Sequence, residues 1–289
     1  MLKPWKTRIL QANLVAQTLI VFTGAVVRVT SSGLGCPTWP ECVAGSITPT
    51  SAQTQAWHKY VEFGNRLLTF VLVAVAIATI FAMRNERSSL RKLSWGSLVG
   101  IFAQAILGGI SVLTHLNPLV VAAHFLLSIG LITVARILLW RSHESSDEPR
   151  RLAVHPMVAL GVRLHTVLAL VIILVGTLVT GTGPHAGDSA DITRLPFDPQ
   201  MISWLHADIV VLFIGLTIGL YIALRATQAP TRAIRGAVEV LGVSALQGLI
   251  GYSQYFLNLP WALVALHVLG ACLLWIVSLG LRLSIYVRD

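Results

Sequence analysis

The sequence predicts an all-α integral membrane protein whose eight transmembrane helices form two four-helix halves. Of the 289 residues, 55% are hydrophobic and only 11% charged, with a mean hydropathy of +0.76, whereas soluble domains carry roughly 25% charged residues. The chain contains eight apolar runs long enough to cross a bilayer. One stretch of sequence also occurs twice, which indicates a repeated unit.

The eight predicted spans follow one another along the chain. A helix needs about 20 apolar residues to cross the hydrocarbon layer. The runs that meet this requirement are 10–28, 61–83, 93–112, 119–140, 162–180, 204–225, 236–256 and 261–283. The first run is too long for the core of a cleaved signal peptide and lacks a small-residue cleavage pattern, so we expect it to remain as a span.

The distribution of charge predicts the orientation of the spans. Arginine and lysine concentrate in every second connection and near both ends of the chain. The positive-inside rule therefore places both termini in the cytoplasm and the long connections 29–60 and 181–203 outside. The net charge of +9 forms no basic stripe with interleaved aromatic residues, so we expect no binding to nucleic acid.

A polar segment at 141–161 predicts the division of the chain. We expect an N-terminal half at 1–140, a cytoplasmic linker at 141–161 and a C-terminal half at 162–289. Because each half contains an even number of spans, both halves have the same orientation, and a pseudo-twofold axis along the membrane normal should relate them. Similar glycine- and threonine-containing segments, 24–35 and 176–187, end the first and fifth spans.

The repeated stretch places single histidines inside apolar helices. Segment 104–108 (Gln-Ala-Ile-Leu-Gly) is followed sixteen positions later by His124, and segment 247–251 (Gln-Gly-Leu-Ile-Gly) is followed sixteen positions later by His267. An ionisable residue within a membrane helix is costly and therefore marks a candidate functional site. His206 is predicted to begin the sixth span, and all three histidines are expected at one depth, roughly 8 Å below the outer surface.

The second half contains two of these histidines. Two imidazoles from facing helices commonly hold a b-type haem in the core of a helix bundle. We therefore predict that His206 and His267 are the axial ligands of a haem b. The alternative is that neighbouring polar groups satisfy each histidine separately.

The first half departs from this pattern. The position that corresponds to His206 is Asn65, which shares one predicted helix face with Glu62 and His58 at i, i+4, i+7 spacing. This half thus offers His124, a carboxylate, an amide and a second imidazole one turn further out, a composition typical of a reaction site. The alternative for Glu62 is a carboxylate stabilised by the dipole of a helix N-terminus.

Two cysteines lie in the first outer connection. Cys36 and Cys42 enclose Pro-Thr-Trp-Pro-Glu on the predicted oxidising side of the membrane, where a disulfide bond can form. A zinc site is disfavoured because no nearby histidine or cysteine completes a ligand set. Cys272 lies in the middle of a span and is expected to pack in the core. The remaining histidines are predicted not to be ligands: His115, His143, His155, His165 and His185.

The whole chain resembles haem A synthase. The specific motifs are Gly-Leu-Gly-Cys-Pro-x-Trp-Pro-x-Cys at 33–42 and Val-Glu-Phe-Gly-Asn-Arg at 61–66, together with the matched histidines of spans four, six and eight. That family oxidises the methyl group at C8 of haem O to a formyl group, which gives haem A for terminal oxidases. The resemblance implies a resident haem b on His206 and His267, a substrate haem facing His124, and an essential carboxylate at Glu62.

Asn65 is the departure from the family pattern, because many members carry a second histidine there. Either His58 substitutes for that ligand, or the substrate iron is held from one side only. Arg28 and Arg66 lie at the outer boundary and are candidate partners of haem propionates; the alternative is that they are ordinary interfacial arginines. Glu62 would either accept a proton or stabilise positive charge at the reacting carbon.

Three functional classes compete on this sequence. The favoured one is an enzyme of the bacterial cell membrane that oxidises a haem side chain. A dihaem b-type electron carrier is the alternative, although carriers place haems near both membrane faces and these histidines lie near one. A transporter would fit parallel repeats but does not explain the matched histidines. The expected partners of the enzyme are haem O, haem A, the lipid bilayer, haem O synthase and oxidase assembly factors, with homo-oligomers left open.

Overall fold

The computed structural model describes residues 2–188 and 192–288, and eight long helices carry the fold. They are α1 (Pro4–Val29), α2 (His58–Met83), α3 (Ser88–Leu113), α4 (Pro118–Arg141), α5 (Pro156–Thr182), α6 (Pro199–Ala226), α7 (Thr231–Phe256) and α8 (Trp261–Ser284). Each of the eight is long and apolar enough to cross a membrane. This confirms the predicted spans. We refer to α1–α4 as the first half and to α5–α8 as the second half.

Several helices begin earlier than their apolar runs. Proline occupies the first helical turn of α1, α4, α5 and α6, where its missing N–H costs no intrahelical hydrogen bond. The predicted start of the sixth span at 204 was therefore wrong, because α6 begins at Pro199. His206 lies about two turns inside α6 rather than at its start, a position similar to that of His124 in α4 and His267 in α8.

The α3–α4 and α7–α8 turns have the same geometry despite different sequences. Leu116 and Leu259 have φ values of 57° and 59°, and the residue before each also has positive φ. Each of these leucines donates its N–H to a carbonyl five residues back, on Ser111 and Gln254 respectively. A pair of non-glycine residues with positive φ is uncommon. Its presence in both turns matches the sequence repeat.

The same pairs of helices pack in each half. α1 packs on α2 and α4, as α5 packs on α6 and α8, and the halves meet through α1, α4, α5 and α8. The largest hydrophobic core cluster lies mainly in the second half and includes Val21 of α1 and Ile132 of α4. These packing pairs agree with the predicted repeat, and the pseudo-twofold axis and the sidedness of the termini remain predictions.

The linker is shorter than predicted and contains a strand. α4 ends at Arg141 and α5 begins at Pro156; between them β1 (Arg151–Leu152) pairs antiparallel with β2 (Tyr286–Val287) after α8. The prediction of an entirely helical chain missed this sheet because two residues are too few to show an alternating pattern. The linker is thus attached to the C-terminal segment rather than running free between the halves.

A carboxylate attaches the linker to the first half. Asp147 accepts a hydrogen bond of 2.5 Å from the hydroxyl of Ser89 at the start of α3 and pairs with Arg87 and Arg141, both at 2.9 Å. The hydrogen bond from Ser89 and the two guanidinium groups hold the pKa of Asp147 below its usual range.

A phenol occupies the corresponding end of the second half. The hydroxyl of Tyr286 accepts hydrogen bonds from Arg163 at 3.2 Å and from Arg282 at 2.8 Å. Burial alone would raise the pKa of Tyr286, but these hydrogen bonds and charges outweigh it and lower that pKa.

Candidate functional site

The imidazoles of His206 and His267 face each other between α6 and α8. Their ring centres are 6.4 Å apart and their planes are inclined at 71°. Two metal–nitrogen bonds of about 2 Å, with about 1.1 Å from each nitrogen to its ring centre, would separate the ring centres by about 6.2 Å. The Nδ1 atoms of both rings are buried without a hydrogen-bond partner within 2–188 and 192–288. The separation of the two ring centres therefore fits an iron atom between the rings.

Each of the three matched histidines packs against a glycine of the preceding helix. The glycine leaves room for the ring to lie directly on the helix backbone. The pairs, with the distance from a methyl group built on the glycine to Cε1 of the ring, are Gly108–His124 (3.0 Å), Gly251–His267 (3.3 Å) and Gly176–His206 (3.4 Å). A methyl group at Gly108 or Gly251 would crowd the ring, so these two glycines set the position of the imidazole.

In the first half, the pair of residues that corresponds to Gly176 and His206 is Gly24 on α1 and Asn65 on α2. A methyl group built on Gly24 meets no atom within 4 Å. The side-chain oxygen of Asn65 instead lies 2.7 Å from the hydroxyl of Thr23, the residue next to this glycine. The first half therefore has space where the second half has an imidazole.

The three residues predicted to share a face of α2 bind three different partners. His58 lies at the start of α2, where its Nδ1 is 3.0 Å from the hydroxyl of Ser32 and its ring stacks on Trp57 with centres 4.0 Å apart. Its contacts are with the outer connection, whereas Asn65 binds α1. The sequence reveals the shared face but not the partners.

Glu62 is a buried carboxylate with two kinds of donor. One oxygen accepts the backbone N–H of Cys36 at 2.6 Å, and the other accepts Arg66 at 2.6 Å through Nη2 and 3.1 Å through Nε. The side chain of Glu62 is 7% exposed. Hydrogen bonds to an ionised group are short and strong, so these donors fix the carboxylate in one orientation.

Arg66 connects this carboxylate to the disulfide ring, which we define as residues 36–42 closed by the Cys36–Cys42 bond. Arg66 donates to the carbonyls of Cys36 at 2.7 Å, Thr38 at 3.1 Å and Glu41 at 3.3 Å. The predicted disulfide is confirmed. The ring therefore lies directly on the second turn of α2.

The same ring also reaches α3. The indole of Trp39 lies so close to Gly109 that a methyl group there would be 2.4 Å from Trp39 Cδ2. Gly109 follows Gly108, the residue that packs against His124. The disulfide ring thus spans from the carboxylate on α2 to the helix that positions the histidine.

A sequence profile of the COX15-CtaA family, whose description is cytochrome oxidase assembly protein, matches residues 7–279. The chain belongs to this family. It is 36% identical to a heme A synthase of Geobacillus thermodenitrificans over 110 residues, 37% of this chain and 33% of that protein. It is 31% identical to a heme A synthase of Geobacillus kaustophilus over 141 residues, 47% of this chain and 43% of that one. These matches span less than half of each relative.

In this COX15-CtaA family member Arg28 joins the two halves. Its Nε donates to the carbonyl of His185 at 2.8 Å and its Nη2 to that of Thr180 at 2.7 Å, both in the second half. Arg66 likewise uses its Nε, Nη1 and Nη2 on protein oxygens. The predicted contacts of these arginines with propionates remain predictions.

One contact of His124 in this family member was not predicted from the repeated motif. Gln104 donates from Nε2 to the carbonyl of His124 at 2.8 Å and contacts the hydroxyl of Ser128. In the second copy, Nε2 of Gln247 has no hydrogen-bond partner within the described ranges and lies against Gly270. A glutamine lies four residues before the glycine in both copies of the repeat, at Gln104 and Gln247. This recurrence was the sequence signal that could have pointed to the contact.

Proposed function

We propose that this protein is a haem A synthase, which oxidises the C8 methyl group of haem O to a formyl group. The observation that carries the proposal is the presence of two unequal histidine sites in one COX15-CtaA family member. One is a facing pair, His206 and His267; the other is His124, in a half that has Asn65 instead of a second histidine and contains the buried carboxylate of Glu62. A closed pair suits a resident cofactor, and an open site suits a substrate that must leave as product.

The reaction removes four electrons from the methyl carbon. One water supplies the formyl oxygen, and four protons and four electrons leave, so that R–CH₃ and H₂O give R–CHO. The electrons pass to an external acceptor. A haem b, when bound by His206 and His267, supplies one-electron chemistry at the second site. The two histidines would hold its iron, and their contacts with glycines on α5 and α7 position the rings.

The residues of the first half bind and orient the substrate. His124 ligates the substrate iron, and Gln104 holds the backbone of His124 through the 2.8 Å hydrogen bond to its carbonyl. Glu62 takes up a proton from the reacting carbon or opposes positive charge there. The Cys36 amide and Arg66 hold the carboxylate in place for either role. Groups of this kind contribute roughly 10²–10⁴-fold to a rate.

The chemistry of substrate and product places the protein between two other activities. An enzyme that attaches the side chain of haem O must supply the substrate, and assembly of the terminal oxidase consumes haem A. The family description, cytochrome oxidase assembly protein, supports this position. The eight apolar helices place the reaction in the cell membrane.

The test is chromatography of haems extracted from cells that make haem O and have no other source of haem A. Cells with the wild-type protein should accumulate haem A. Glu62→Gln should accumulate haem O or a partly oxidised alcohol and retain the haem b of the second half. Glu86→Gln, which alters the carboxylate paired with Lys6 just beyond the opposite end of α2, serves as the matched control and should give haem A at wild-type yield.

Two results would contradict the proposal. Wild-type haem A yield from Glu62→Gln would remove Glu62 from the reaction. Haem B as the only pigment, at two per chain, would favour the dihaem electron carrier.

A further inference from the structure

We infer that the first half binds its haem through a single protein ligand, His124, and that Asn65 and Thr23 hold a water molecule over the opposite face of that haem. The identity of the haem as substrate rests on the proposed function. The ligand arrangement is a property of the site and does not depend on turnover.

Asn65 occupies the ligand position without acting as a ligand. Haem iron in proteins is held by histidine, cysteine, methionine or tyrosine side chains, and a neutral amide is not among them. The amide of Asn65 is also committed to Thr23 at 2.7 Å. The second protein ligand is therefore missing at the position where His206 stands in the other half.

His58 does not replace the missing ligand. It precedes Asn65 by seven residues on α2, which places it about 10 Å further along the helix axis. Its Nδ1 is engaged by Ser32 and its ring is stacked on Trp57. A ligand nitrogen must lie about 2 Å from its metal. The ring of His58 is displaced by about 10 Å along α2 and is held by Ser32 and Trp57, so it does not reach the iron.

The space beside Gly24 is suited to water. The glycines of the other three pairs have an imidazole carbon within 3.0–3.4 Å of a built methyl group, whereas Gly24 has no atom within 4 Å. A site holds water when it is both roomy and lined by polar groups. Thr23 and Asn65 supply those groups.

Hydrogen-bond capacity remains on Asn65 whichever way its amide points. The Thr23 hydroxyl has one proton and two acceptors within reach, Asn65 at 2.7 Å and the carbonyl of Ile20 at 3.1 Å. If the proton goes to Asn65, its NH₂ group is free to donate; if it goes to Ile20, the amide turns and its oxygen is free to accept. Among the described residues Asn65 makes no other hydrogen bond, so one polar atom is available to a water in either case.

The consequence is a difference in how firmly the two haems are held. Two imidazoles retain a haem, and one imidazole opposite a water allows it to exchange. A small neutral ligand that donates and accepts hydrogen bonds fits the polar groups of Asn65 and Thr23.

The test uses the purified full-length protein loaded with ferric haem, studied by electron paramagnetic resonance and resonance Raman spectroscopy. We expect one low-spin haem from the second half and one six-coordinate high-spin haem from the first. Asn65→His should convert the second signal to low-spin. Asn65→Leu, which keeps the size but removes both polar atoms, should give a five-coordinate high-spin haem. His58→Gln, the matched control, should leave both signals unchanged.

Three outcomes would overturn the inference. These are two low-spin haems in the wild-type protein, conversion of a low-spin haem to high-spin by His58→Gln, or binding of one haem only at every haem concentration. None of these readouts needs turnover. A high-spin second haem in a protein that never forms haem A would instead overturn the proposed function and leave this inference standing.

Discussion

The two halves use the same helix pairs but differ at one of the two positions where a histidine packs on a glycine. In the second half both positions contain a histidine packed on a glycine, whereas the first half has one such pair, Gly108 and His124, and has Gly24 and Asn65 at the other position. The inferred difference in how firmly the two halves hold a haem therefore depends on one side chain of a shared scaffold.

The halves also differ in what lies beside the histidines. In the first half the disulfide ring contacts Glu62, Arg66 and Gly109. In the second half the outer connection folds back on its own helix, where Leu195 packs against Gly181 and Arg194 donates to the carbonyl of Pro184 at 3.1 Å. Only the first half brings a buried carboxylate to the site, among the described residues. This difference supports the proposal that the reaction takes place in the first half.

The largest expected effect separates the two histidine sites. His267→Ala should abolish the low-spin b-type absorption of the purified protein, because the low-spin state needs two imidazole ligands and only His206 would remain. His124→Ala should leave that absorption intact and remove only the haem of the first half. Quantitative absorption spectra and haem-to-protein ratios measure both. His143→Ala, in the linker, is the control, and full haem b content in His267→Ala would break the assignment.

A second prediction tests whether glycines set the ligand positions. Gly108→Ala should weaken retention of the haem on His124, because overpacking costs roughly 1–3 kcal/mol, or about 5- to 150-fold in affinity. Gly251→Ala should have a smaller effect on the second site, since the built methyl group lies 3.3 Å from His267 rather than 3.0 Å from His124. Haem titration of both variants provides the measurement.

Gly130→Ala is the matched control for that experiment. Gly130 lies on α4, the helix of His124, and a methyl group built there meets no atom within 4 Å. Equal haem affinity in Gly108→Ala and Gly130→Ala would show that the glycine contact does not position the ring.

The disulfide ring provides a third and weaker test. Replacing Cys36 and Cys42 together with serine should slow turnover about tenfold or more, because the Cys36 amide would no longer be held against Glu62 and a hydrogen bond to a charged group contributes roughly 1.5–3 kcal/mol. The b-type spectrum of the second half should not change. Loss of that spectrum, or unchanged haem A yield, would argue against a local action through Glu62.

The smallest expected effect concerns the end of the molecule that contains the linker. There the carboxylate of Asp147 binds Ser89 of the first half, and the phenol of Tyr286 binds Arg163 and Arg282 of the second half. Because the pKa of Asp147 is lowered in the folded protein, its contribution to stability is present above the ordinary pKa of about 3.9 and is lost as the pH falls through the folded pKa. Asp147→Asn should cost less than about 1 kcal/mol at pH 7, since the group is exposed.

Thermal unfolding in detergent between pH 7 and pH 3 measures this effect. The wild-type protein should lose more stability on acidification than Asp147→Asn does. Glu148→Gln, the neighbouring exposed carboxylate, is the control and should follow the wild-type curve. An Asp147→Asn curve parallel to wild type would show that the contact with Ser89 does not persist in solution.

The sequence predicted those features that depend on local composition. The eight spans follow from apolar runs, the disulfide from two nearby cysteines on one side, and the matched histidines from an exact spacing within the repeat. The contacts between elements were not predictable in this way. The hydrogen bond from the Cys36 amide to Glu62 involves a backbone group, which carries no sequence signal. The start of α6 was misplaced because polar residues before the apolar run continue the helix.

For a few residues the sequence indicated the position but not the contacts. Gln104 and Gly108 recur in both copies, so their importance was visible, but their contacts with His124 depend on how two helices cross. Asn65 was recognised as the odd residue by counting along the repeat. That it binds Thr23 rather than facing a free pocket depends on the packing of α1 against α2.

Asn65 also bears on how such a site can change over generations. The codons for asparagine and histidine differ only in their first base, so a single transversion in the gene would exchange one for the other. The glycine that would receive the new ring is already in place at position 24, with no atom within 4 Å of its missing side chain. If Asn65 leaves the iron with one protein ligand, a single base change would therefore separate a site with one protein ligand from a site with two.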